Sequence, residues 1–130
     1  MLQQLELKYV ITCDDAIISD NNKLSLIGIF DEIRAVNIPA IHPALTVIST
    51  IDGPIGTHKE NIELINLKDN KIVASAEQQD AVISDKGGNT QISKFNNILF
   101  LNEGIYWIKV IVDGQVLTRK ESHYVTVSKI

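Results

Sequence analysis

Gly104-Ile105-Tyr106-Trp107-Ile108-Lys109-Val110-Ile111-Val112 (residues 104–112) carries the period that sets the fold class. Tyr106, Ile108, Val110 and Val112 recur at every second position. Successive side chains of an extended chain point to opposite faces, so these four line one face of a strand. Asp113-Gly114 follows at once and is a two-residue hairpin signal, with Gln115 to Thr118 starting the return strand. The opposite face carries Ile105, Trp107 and Ile111 around Lys109. An outer sandwich face is normally polar, so these four residues are read as a possible interface. The competing reading is that a loop or terminal strand covers them.

The same signals extend outward in both directions. Tyr124 to Val127 is read as the closing strand, and Gln91 to Leu101 holds one whose register Asn96-Asn97 blurs. Asn61 to Leu67 and Lys71 to Ala76 make a hairpin across Asp69-Asn70. Leu45 to Ile51 is another strand, and Asp52-Gly53-Pro54-Ile55-Gly56 a loop. Pro43 and Pro39 bracket a loop, with a short helical turn expected near Asn37 to Ala44. Leu24 to Phe30 is apolar on both faces and reads as a central strand, with Ile33 to Ile38 extending or pairing with it. Leu5 to Cys13 alternates, with Leu5, Leu7, Tyr9, Ile11 and Cys13 on a dry face and Glu6, Lys8 and Thr12 on a wet one. Asp14-Asp15 ends that strand, and Asp85-Lys86-Gly87-Gly88-Asn89 is a flexible-looking loop. About eight short strands with turn clusters every ten residues or so predict an all-β, two-sheet, immunoglobulin-like β-sandwich.

Composition narrows the function classes. The 130 residues fit one domain, 1–130, with 45% hydrophobic and 22% charged residues. The net charge is -4 and the twelve basic residues are scattered, which argues against nucleic acid as a partner. The N-terminus lacks a secretory pattern, and no stretch reaches the length of a spanning helix, so no membrane role is expected. Cys13 is the single cysteine and forms no internal disulfide, which fits a cytoplasmic setting.

The chain resembles a group of small bacterial proteins classed as a domain of unknown function. The resemblance rests on Cys13-Asp14-Asp15, Lys23-Leu24-Ser25-Leu26-Ile27-Gly28-Ile29-Phe30, His42-Pro43 with Leu45, Gly104-Ile105-Tyr106, and Val112-Asp113-Gly114. It implies a β-sandwich and supplies no catalytic residues.

Candidate chemistry is thin. Asp14, Asp15 and Asp20, with Asp52, Asp80 and Asp85, would suit Ca²⁺ if they shared one rim, though Asp also terminates strands and caps turns. His42, His58 and His123 would need to converge, with Cys13, to hold zinc, and their spacing offers no local pair. Cys13 falls on an apolar face and is expected to be buried rather than nucleophilic. His42, before Pro43, is expected to hydrogen-bond backbone at a crossover. Gly87-Gly88 lacks the features of a phosphate loop, and Ser19, Ser25 and Ser49 lie in no nucleophile elbow. The expectation is therefore a non-enzymatic protein-binding or self-assembly module, without cofactor or metal, with a homodimer as its simplest form. The alternative is a small-ligand or Ca²⁺-binding sandwich, or a hydrolytic domain, that uses the Asp-rich rim or a pocket at His42.

Overall fold

The computed structural model describes residues 4–117 and 123–130; Thr118, the last residue of the expected return strand, lies outside them. Among the described residues the strands are β1 Glu6–Ile18, β2 Leu24–Ile29, β3 Glu32–Ala35, β4 Ala40–Asp52, β5 Gly56–Asn66, β6 Ile72–Ser75, β7 Gln79–Ile83, β8 Asn89–Phe100, β9 Gly104–Val112, β10 Gln115–Leu117 and β11 Tyr124–Lys129. None of those residues is helical. One sheet has four strands in the order β2-β1-β4-β8. The other has seven, in the order β3-β11-β9-β5-β6, with β10 on β9 and β7 on β5. All pairs are antiparallel except β3 with β11.

The two sheets close face to face over one main core. Leu45, Val47 and Ile51 of β4 and Phe95 and Phe100 of β8 meet Ile62 and Leu64 of β5 and Tyr106, Ile108, Val110 and Val112 of β9. The period-2 stripe of β9 is thus fully buried, as its alternation requires. Each such side chain removed from water contributes about 1.5–3 kcal/mol. Tyr106 packs edge-on to Phe100, with ring centroids 4.8 Å apart, and donates its hydroxyl to the Asn102 carbonyl at 2.7 Å. The large ring therefore enters the core with its polar atom satisfied.

Several local expectations are corrected. β1 does not stop at Asp14-Asp15 but continues to Ile18. Its register against β4 shifts between Leu7 and Tyr9, so the single dry face divides there. Leu7 and Val10 pack on the main core, whereas Ile11 and Cys13 join Ala16, Leu26, Ile48 and Ile92 in a smaller cluster. Ile11, Ile48 and Ile92 share one rung across β1, β4 and β8. Thr12, assigned to the wet face, is 1% exposed. The helical turn near Asn37 to Ala44 is absent: bends lead into β4, which starts at Ala40 and includes Pro43. Proline fits there because this half of β4 pairs β8 alone; β1 joins only from Thr46.

The largest revision concerns β2. Its apolar character suggests a central strand, yet it pairs only with β1 and forms the edge of the four-stranded sheet. Gly28 bends it with a φ of 66°, and a Cβ at that position would overlap the Asp14 carboxylate. The Gln79–Ile83 strand has no counterpart in the expected elements.

Candidate contact face, clefts and polar clusters

β9 lies between β5 and the pair β10/β11, so the face opposite its core stripe is a continuous surface of the seven-stranded sheet. Register places Ile65 and Tyr124 on either side of Trp107. Thr126 flanks Ile105, Glu63 flanks Lys109, and Asn61 and Val116 flank Ile111. Trp107 and Ile111 are half-buried by these neighbours, while Ile105 keeps 49% of its surface exposed. Tyr124 of β11, Val116 of β10 and Leu67, in the turn just after β5, are each about two-fifths exposed around them. The structure thus brings all four sequence-identified residues onto one apolar face. Its charged centre is the ion pair Lys109 Nζ–Glu63 Oε1 at 3.7 Å, with the ammonium 5.9 Å from the Trp107 ring centroid. Both charged side chains are about four-fifths covered, so they are held more firmly than a freely solvated pair.

The aspartates do not make one rim. Asp52 pairs with Glu6 at the start of β1, whereas Asp20 follows the other end of that strand. Asp15 is ion-paired to Lys94 at 3.1 Å and Asp80 to Lys59. Asp14 sits beside Gly28 within β1, and Asp85 lies in the turn after β7. The Ca²⁺ reading fails on this dispersion, because Ca²⁺ needs six to eight converging oxygens. No three His, Cys, Asp or Glu side chains among the described residues are grouped to hold a metal ion.

The histidines occupy three separate settings. His42 lines a cleft of about 340 Å³ with Asp14, Phe30, Glu32 and Arg34, where Arg34 Nε donates to Glu32 Oε1 at 3.1 Å. The ring stands edge-on to Phe30, and its Nε2 is buried without a hydrogen-bond partner among the described residues, so that nitrogen does not make the expected backbone bond there. His123 places Nε2 3.1 Å from Thr12 Oγ1, whose hydroxyl also reaches the Phe30 carbonyl. Burial lowers the His123 pKa.

His58 forms a clamp that the sequence reading missed. Nδ1 donates to Asp113 Oδ2 at 2.6 Å and Nε2 to the Pro54 carbonyl at 2.7 Å. The second carboxylate oxygen accepts the Lys59 amide at 2.8 Å. Two acceptors around one ring require both nitrogens to carry protons, so the Asp113 bond and then the Pro54 carbonyl raise the His58 pKa. His58 in turn holds the Asp113 carboxyl below its ordinary range. The clamp ties the β4–β5 loop to the β9–β10 turn.

Glu60, two residues on, is 2% exposed inside the sandwich. Ser49 Oγ of the opposite sheet donates to its Oε1 at 2.6 Å, while Oε2 has no partner among the described residues. Burial raises its pKa, which the Ser49 bond opposes. The signal for both groups was present: His58, Glu60, Ile62 and Leu64 alternate, which points the two polar residues inward with the core stripe.

These features define an all-β, two-sheet protein with an apolar outer face. The chain belongs to a family of unknown function, DUF6941, whose model matches residues 8–123. No curated protein matches it. Among solved structures it is similar to the alkylpurine DNA glycosylase AlkC of Pseudomonas fluorescens, bound to DNA containing an abasic site analog. The identity is 9% and the TM-score 0.50, over 95% of this chain and 30% of that one. The chain spans less than a third of the glycosylase, and the likeness is one of fold. No helix among the described residues is long and apolar enough to cross a membrane.

Proposed function

We propose that the chain is a non-enzymatic self-assembly module of the cytoplasm that meets a second copy through the outer face of its seven-stranded sheet. The observation that carries the reading is the group Ile105, Trp107, Tyr124 and Val116, apolar residues of β9, β11 and β10 that stay half-buried or exposed where a solvated sheet face would carry polar ones, with Ile65 buried beside Trp107. Aromatic residues with an apolar surround are the usual centre of a protein contact. The face is also self-complementary. Its centre carries one cation beside one anion, so a two-fold axis through that pair sets Lys109 of each copy near Glu63 of the other, with the ion pairs Lys59–Asp80 and Arg34–Glu32 further out on the same sheet.

Sedimentation of the purified chain over a wide concentration range tests this. The wild type is expected to associate, and Trp107→Asp to weaken that step at least about thirtyfold with its β spectrum intact. Ile105→Lys, at a well-exposed position, should have the same effect and covers the case in which Trp107→Asp unfolds the sheet. A wild type that stays monomeric at high concentration contradicts the reading, as does an association that neither variant changes.

A further inference from the structure

The four-stranded sheet has two edges, and they are finished differently. Along β8, side chains close the edge: Asn89 Nδ2 donates to the Val82 carbonyl at 3.1 Å and Gln91 Nε2 to the Asp80 carbonyl at 2.7 Å, both on β7. Along β2 no strand among the described residues pairs on the side away from β1. Leu24, Ile27 and Ile29 are 36%, 47% and 65% exposed there, beside Ile17 and Ile18 at 51% and 59%. An unpaired edge is usually blunted by shortness, by charge or by proline. The edge strands of the other sheet follow that rule: β10 has three residues, β6 has four and is blunted by shortness alone, β3 has four including Glu32 and Arg34, and β7 carries Asp80. β2 has six residues with neither a charge nor a proline among them.

We propose that β2 pairs antiparallel with β2 of a second copy, joining two four-stranded sheets into one of eight. The choice of a second copy comes from the charges that flank the strand. Lys23 precedes it and Asp31 follows it, both exposed and neither ion-paired among the described residues. With Ile27 on the two-fold axis, antiparallel pairing brings the Lys23 side chain of each copy towards Asp31 of the other, at the bend where the chain leaves β2 and the Asp31 carbonyl accepts the Thr126 amide of β11 at 2.9 Å. The same register places Leu24 across from Phe30 and Ser25 across from Ile29. Leu26 then faces Gly28, which presents no side chain to it. The ladder hydrogen bonds supply affinity, and opposite charges at the two ends fix direction and register. The pairing goes beyond the Trp107 face contact and uses none of its residues. A chain with both contacts assembles past the dimer, because two different two-fold axes in one molecule generate a ring or a filament.

Cross-linking and charge exchange test the pairing in the full chain. Ile27→Cys lies opposite itself and should form an intermolecular disulfide under mild oxidation, while Leu24→Cys, offset from the axis, should form far less. The native Cys13 is 0% exposed and stays out of the reaction. In sedimentation, Lys23→Asp or Asp31→Lys alone should raise the dissociation constant of this step about tenfold, since like charges then face each other twice. The double exchange Lys23→Asp with Asp31→Lys should restore it. Equal cross-linking at positions 24 and 27, single exchanges without effect, or a double exchange that fails to restore association would each overturn the proposal. Failure of the face contact alone gives a different pattern: Trp107→Asp is then without effect while the charge exchanges keep theirs.

Discussion

His58 and Glu60 give the inner surface of β5 two pH-dependent groups whose signs agree. The folded pKa of His58 is raised, so its contribution is complete below the unfolded value and is lost as pH rises through the folded one. The Asp113 carboxyl is lowered, so its share is present above the usual carboxylate range and is lost on acidification. The clamp is therefore strongest in mildly acidic solution. His58→Gln should cost about 1–2 kcal/mol at about pH 5.5 and progressively less above about pH 8, read as the difference in thermal midpoint from wild type. A cost that grows with pH would contradict the doubly donating ring. Glu60 is a buried acid with a raised pKa, so the fold favours its neutral form and loses stability as pH climbs through that raised value. Glu60→Gln keeps an acceptor for Ser49 and removes the charge. It should leave stability near wild type at about pH 4 and increase it at about pH 8. Denaturant unfolding at the two pH values checks this, and a variant less stable than wild type at the higher pH would show that the buried group is charged and paired. Both residues follow the alternation of Ile62 and Leu64, so their inward direction was legible in the sequence. Their partners were not, because Pro54 reaches His58 through the shape of the β4–β5 loop, and Asp113 and Ser49 come from the β9–β10 turn and the facing sheet.

At the level of strands, local period was a sound guide wherever the chain keeps one phase. β9, the β5–β6 hairpin across Asp69-Asn70 and the return at Asp113-Gly114 all lie where the pattern puts them. The misreadings have specific physical causes. A register shift in β1 moves Ile11 and Cys13 away from Leu7, and a pattern read without its partner strand carries no sign of that shift. Cys13 is buried as expected, but in the cluster around Ile48 rather than in the main core. The short strand β7 lacks a clear alternation and owes its place to Thr57 and Lys59 of β5 opposite. β2 shows the limit most clearly. Two apolar faces normally mean burial on both sides, and here they mark an edge. That conflict between composition and position motivates the pairing of β2 with a second copy, with its cross-linking test at Ile27.

For the whole molecule, residue types alone identified two sheets, an apolar core and a face centred on Trp107. The strand order was beyond them, because the pairings that set it join residues far apart in sequence, such as β1 with β4 and β5 with β9. The dispersion of the aspartates over both ends of β1 was hidden for the same reason, and it removes the rim on which a Ca²⁺ site would depend. What remains is a fold with exposed apolar residues on a sheet face and along a sheet edge, where the two proposed contacts are placed. The face is the central claim, and the chain holds a built-in reporter of it, since Trp107 is its sole tryptophan. The direct measurement is Trp107 emission and its quenching by acrylamide as concentration rises through the association range. Contact through this face should move the emission to shorter wavelength and reduce quenching, while Ile105→Lys keeps the dilute values throughout. Emission and quenching that stay constant while sedimentation shows the mass increasing would contradict the account and place the contact elsewhere on the molecule.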